Sequence, residues 1–148
     1  MNGELASKNY QSLATWQRCV EQIQARWPSF LAARADRLRH GGECEKVAEA
    51  ILEDLLTGVL DWSKGDLAYQ TGYADIVLSK NLAKYLLIEV KRPGMLSPGR
   101  RALEAAVQQA RRYADEQRVL RIAASDGRYF YAADIDGGGL KDRLLVDL

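Results

Sequence analysis

Asp75, Glu89 and Lys91 are the residues of this chain whose types and spacing suit chemistry on a charged substrate. Thirteen residues separate the aspartate from the glutamate, and a single residue separates the glutamate from the lysine. Two carboxylates held side by side repel, and keeping both ionised is costly unless a cation sits between them. Oxygen-only ligands favour Mg²⁺ or Mn²⁺, which keep several waters and bind phosphate oxygens. A lysine two residues beyond can orient or deprotonate a metal-bound water, or stabilise charge on a phosphate. The plainer alternative is a cross-strand pair beside a lysine on a half-exposed sheet, which is worth little.

Whether the three meet depends on the elements that carry them. Ala74–Ser79 and Tyr85–Lys91 have the composition and alternation of strands, and the five residues between them are few enough for a hairpin. If Ser79 pairs with Tyr85, Asp75 lies opposite Glu89. The even positions Ile76, Leu78, Leu86, Ile88 and Val90 then make one buried apolar face. The odd positions Asp75, Glu89 and Lys91 emerge together on the other.

The rest of the chain predicts an α/β fold with a mixed sheet. A helix is expected over residues 9–38, kinked or split at Pro28, with Trp16, Trp27 and Phe30 on its apolar side. The break His40-Gly41-Gly42 is followed by a second helix from about Glu43 to Leu60, striped by Val47, Ala48, Ile51, Leu52, Leu55, Leu56 and Val59. Leu67–Gln70 is expected as a short edge strand. Arg92-Pro93-Gly94 ends the strand that carries Glu89 and Lys91. Ser97 is then expected to cap a helix with Pro98 in its first turn, running to about Glu116. Strands are expected at Val119–Ala124, at Tyr129–Ala133 and, after the Gly137-Gly138-Gly139 loop, at Arg143–Val146. Residues 1–42 form an expected helical extension packed on a core of residues 43–148.

Composition narrows the function classes. With 148 residues, 47% hydrophobic and 28% charged, the chain suits one soluble domain. No apolar run is long enough to span a membrane, and the start lacks a basic end leading into an apolar core, so a cytoplasmic protein is expected. Cys19 and Cys44 are too few for a disulfide framework or a zinc site, and the lone His40 leaves little room for a histidine-based triad or metal site. No phosphate-binding loop of a nucleotide-driven motor occurs. An enzyme built on this chain must run on carboxylates and lysine, with or without a hard metal ion. The net charge of +1 hides segregation: eight acids and two bases between Glu43 and Asp75, then nine bases and four acids between Lys91 and Arg128. Such blocks are either solvated helix faces or an acidic cation site beside a basic surface for phosphates.

The stretch Gly72-Tyr73-Ala74-Asp75-Ile76-Val77, with Glu89-Val90-Lys91 after it, resembles the PD-(D/E)xK nuclease superfamily. More narrowly it resembles the nuclease domain at the N-terminus of type I restriction enzyme R subunits. That subgroup carries Q-x-x-x-Y on the helix after the E-x-K strand, matched here by Gln109-Ala110-Arg111-Arg112-Tyr113. It also has an acid on a helix before the aspartate, and often a strand, small turn and aromatic strand like Val119–Ala133. The resemblance spans about Glu43 to Ala133. Alanine stands where the superfamily's name-giving proline would precede the first aspartate, and these 148 residues carry no translocase motor motif.

The resemblance implies a restriction-endonuclease-like core and metal-dependent hydrolysis of phosphodiester bonds in nucleic acid, expected to be DNA. Asp75, Glu89 and the backbone carbonyl of Val90 would hold Mg²⁺ or Mn²⁺, and Lys91 would activate or position the attacking water. At 100° per residue, Glu45 lies about 60° from the centre of its helix's apolar stripe and Glu49 about 100°, so Glu45 is the expected upstream acid and Glu49 its reserve. Gln109 would contact the nucleic acid, Tyr113 would buttress the site, and Arg100, Arg101, Arg111 and Arg112 would meet phosphates. The solvated face is the alternative for those arginines and a core tyrosine for Tyr113. A homodimer, or a separate motor protein, is the expected protein partner. The competing reading is an inactive module of the same fold that binds nucleic acid or a partner protein.

Overall fold

The structure is a computed structural model and describes residues 13–69 and 75–148. Helix α1 (Ala14–His40) and helix α2 (Glu45–Glu53) come first. The chain leaves α2 through a widened π-helical segment, Asp54–Val59, in place of the single helix to Leu60 expected from the sequence. Leu60 N–H reaches back five residues to the Leu55 carbonyl, and the Thr57 hydroxyl takes up the carbonyl of Glu53, so the wider winding keeps Leu55, Leu56 and Val59 buried.

Strands β1 (Leu67–Tyr69), β2 (Asp75–Lys80), β3 (Ala83–Val90), β4 (Arg121–Ser125), β5 (Tyr129–Asp136) and β6 (Gly139–Asp147) form one sheet in sequential order. Every neighbouring pair is antiparallel except β3–β4, which is parallel and joined by helix α3 (Arg100–Gln117). Such a crossover is the connection a parallel pair requires. Gln70 and Ala74, placed in strands from the sequence, lie outside the described residues.

Both faces of the sheet are covered. On one, Ile76, Leu78, Ile88 and Val90 pack with Phe30 of α1 and with Val47, Ala48, Ile51 and Leu52 of α2. On the other, Val77, Leu87, Ile122 and Ala124 lie beneath Leu103, Val107, Ala110 and Ala114 of α3. The odd-numbered face of the β2–β3 hairpin is therefore a second core, and only its end carries polar groups.

Several elements differ from expectation: β3 spans Ala83–Val90 and so ends one residue before Lys91, β4 starts at Arg121 and β5 runs on to Asp136. α1 runs through Pro28 unbroken. The ring lies on the exposed side while Ile23, Trp27 and Phe30 pack inward, so burial offsets one lost backbone hydrogen bond. Trp16, expected in the core, is exposed instead. α3 starts at Arg100 with Gly99, two residues after the expected cap Ser97, at its N-cap and no side-chain cap. β6 is nine residues long, extending into the glycine loop at one end and to Asp147 at the other. No described helix is long and apolar enough to cross a membrane.

Candidate metal centre

The β2–β3 register places Asp75 directly opposite Glu89, as the alternation required. The hairpin reaches that register by a different route. Asn81 and Leu82 make a tight turn with φ of 51° and 65°, the positive values of a two-residue type I′ connection. Ser79 pairs with Lys84 and Leu78 with Leu86, so Tyr85 is the extra residue of a β-bulge. The shorter turn and the bulge cancel, and the pairing from Leu78 to Asp75 is the one a five-residue loop would have given.

Asp75 is 2% exposed and Glu89 4%. The two carboxyls are close enough for each to shift the other's titration. Burial, then the Glu89 carboxyl beside it, push the Asp75 carboxyl up to about 8, against the opposing pull of Lys91 and of a hydrogen bond from the Val90 backbone. At neutral pH and with no cation the pair therefore holds a proton. Lys91 Nζ lies 2.6 Å from Glu89 Oε1 and donates to Gln109 Oε1 at 2.9 Å. Glu89 Oε2 is buried with no hydrogen-bond partner. A carboxylate oxygen left bare at this depth is costly, and a cation is the partner its chemistry fits.

The backbone adds one more oxygen. Lys91 N–H donates to the Ser125 carbonyl of β4 at 2.9 Å. Successive residues of a strand turn their N–H and C=O groups to opposite edges, so those of Val90 face the β2 edge, where its N–H meets Asp75. The Val90 carbonyl thus turns to the side of the carboxylate pair.

The upstream acid does not join them. Glu45 is exposed in the first turn of α2, and among the described residues no group of three or more His, Cys, Asp or Glu is spaced to hold a metal ion. Glu49, whose side chain is 14% exposed, pairs with Lys46 at 2.9 Å and helps raise the Tyr69 hydroxyl, after burial and the Glu53 bond. Tyr69 stands opposite Ile76, whose side chain faces α2, so Glu49 acts on that face of the sheet and not on the face that carries Asp75 and Glu89. The tightness of this corner is set by Gly127: with φ of +84°, a Cβ there would come within 3.0 Å of Ile51 Cδ1 and 3.5 Å of Ala48 Cα.

On α3 the expected residues separate. Gln109 faces inward and holds Lys91, and Tyr113 packs half-buried against the core beneath the helix. Arg100 is paired with Glu104 at 3.1 Å, and Arg101 and Arg112 are exposed. Arg111 lies over Gly138, in the turn at the sheet end remote from Glu89.

Two residues were missed. Asp126, 2% exposed, accepts backbone N–H groups from Leu96, Arg128 and Tyr129 and so ties the loop after Lys91 to the β4–β5 turn. An Asp before Gly in a turn was the available signal. Tyr131 continues the cross-sheet row Asp75, Glu89, Ala124, and its hydroxyl is buried without a partner. Nothing in a lone strand tyrosine marks that position.

No protein-family model, curated protein or solved structure matches this chain. The reading of the site rests on its own residues and geometry.

Proposed function

We propose that the chain is a metal-dependent nuclease with a restriction-endonuclease-like core, hydrolysing phosphodiester bonds in nucleic acid, DNA above all. The observation that carries this reading is the buried Asp75–Glu89 pair with one bare glutamate oxygen, flanked by Lys91. The order of elements supports it: a helix, three antiparallel strands, a crossover helix and a parallel strand, with the acids at the end of the central hairpin.

Asp75, Glu89 and the Val90 carbonyl would hold Mg²⁺ or Mn²⁺. The ion supplies polarisation of the phosphate and a water acidic enough to attack at neutral pH. The protein's part is positional. Gln109 and Glu89 fix the Lys91 ammonium on the open side of the pair, where it orients the attacking water and offsets charge building on the phosphate. The cores on both faces of the hairpin keep the two carboxyls in register.

The test is cleavage of supercoiled plasmid and single-stranded DNA with Mg²⁺ or Mn²⁺, and with chelator. Cutting that needs the ion supports the reading. Salt-sensitive binding with no cutting under any of these conditions would replace it with the inactive binding module.

A further inference from the structure

At the end of the sheet remote from the carboxylate pair lies a cleft of about 460 Å³, formed where the start of β3, the end of α3 and the strands β4 to β6 meet. Its lining includes the cations Lys84, Arg118, Arg121 and Lys141 and the acid Asp134. Two of the cations are neutralised: Arg121 by Asp134 at 2.8 Å and Lys141 by Asp136 at 3.2 Å. The other two are not. Lys84 donates to the uncharged amide of Gln117, and no described carboxylate pairs with Arg118.

Two local features place side chains at this cleft against the ordinary preferences of the chain. Arg118 caps α3 in left-handed geometry, with φ of 57° and ψ of 45°, where glycine is the usual residue. The β-bulge at Tyr85 turns its ring toward Trp62, at a centroid distance of 6.1 Å, yet leaves the tyrosine 46% exposed on the cleft wall. An exposed ring beside two unneutralised cations is the pairing that holds a base by stacking and its phosphate by charge.

We propose that this cleft is a second nucleic-acid site, in which Lys84 and Arg118 hold a phosphate of a single strand and Tyr85 stacks on an adjacent base. Five residue steps along β3, about 17 Å of extended strand, take the chain from Lys84 to Glu89, so the site is distinct from the carboxylate pair. It stands whether or not that pair cleaves.

The experiment is fluorescence anisotropy of a labelled short single-stranded oligodeoxynucleotide in chelator, where no metal-dependent cleavage interferes. Three variants are compared with the wild type: Arg118→Gly, Lys84→Gln and Tyr85→Ala. Arg118→Gly removes the charge while relieving the left-handed backbone, so it keeps or raises the melting temperature and still weakens binding. Each cation removed is expected to lower the slope of log affinity against log salt by about 0.7. Tyr85→Ala weakens binding by about fivefold or more with the slope unchanged. Displacement of the oligonucleotide by AMP and not by adenosine supports a phosphate seat. Wild-type affinity and slope in all three variants, no binding by the wild type, or binding of AMP with none of the oligonucleotide would each overturn the proposal. Loss of cleavage in the plasmid assay with this binding intact would count against the nuclease alone.

Discussion

Asp75 and Glu89 face each other across two antiparallel strands, nearly sealed from solvent, and one buried oxygen of Glu89 has no partner. Structural ion pairs do not take this form, because two acids give no mutual attraction to set against their desolvation. The pair is stable only with a proton or a cation between its members, and that choice links pH, metal and stability.

The first consequence is a stability that falls with rising pH in metal-free protein. Asp75 titrates near its ordinary value when unfolded and at about 8 when folded. Its protonated form therefore stabilises the fold fully below about pH 4, and that contribution is lost as pH rises toward 8. Melting of chelated protein should show a fall on the order of 4–8 °C between pH 5 and pH 8, or ~2 kcal/mol. Mn²⁺ should restore most of it at pH 8 and little at pH 5. A flat profile would show that the carboxyls do not share a proton.

Gln109 should act through Lys91. Its amide oxygen is the second acceptor of the ammonium, and the side chain is half-buried beneath α3. Gln109→Ala should lower cleavage by about 10–100-fold, the range for losing a group that orients a catalytic residue, with near wild-type DNA affinity. An equal loss in binding and rate would return Gln109 to the DNA-contact role that the Q-x-x-x-Y resemblance implied.

The register of the acids was legible in the sequence and the path to it was not. Alternation of Ile76, Leu78, Ile88 and Val90 fixes which face each residue takes, so Asp75 and Glu89 had to emerge together. Alternation says nothing about a turn whose excess residue is absorbed by a bulge at Tyr85. The upstream acid was beyond helical periodicity for a related reason. Glu45 and Glu49 differ by one turn, and helical periodicity ranks them by angle without saying which reaches over the sheet. Pro28 misled because a local rule was overridden by packing in α1.

That hairpin gives a test of its own. Leu82 is fully exposed with φ of 65°, a geometry that costs a residue with a Cβ. Leu82→Gly should stabilise the protein by about 0.5–1 kcal/mol in urea unfolding. Destabilisation would mean that the turn is not of the two-residue type.

Gly127 should tolerate no side chain. Its positive φ and the approach of Ile51 to within 3.0 Å of any Cβ predict that Gly127→Ala costs about 1–3 kcal/mol. Since α2 is held over this corner, cleavage should fall with stability. An unchanged unfolding midpoint would contradict the packing of α2 on the β4–β5 turn.

The central claim is that Asp75, Glu89 and Lys91 make one metal-dependent hydrolytic site. The most direct measurement is plasmid cleavage in Mg²⁺ or Mn²⁺ by the wild type, Glu89→Ala and Lys91→Ala, each shown to be folded by circular dichroism. The account predicts cutting by the wild type that chelator abolishes and both substitutions reduce by at least about a thousandfold. Cutting that survives Glu89→Ala would contradict it.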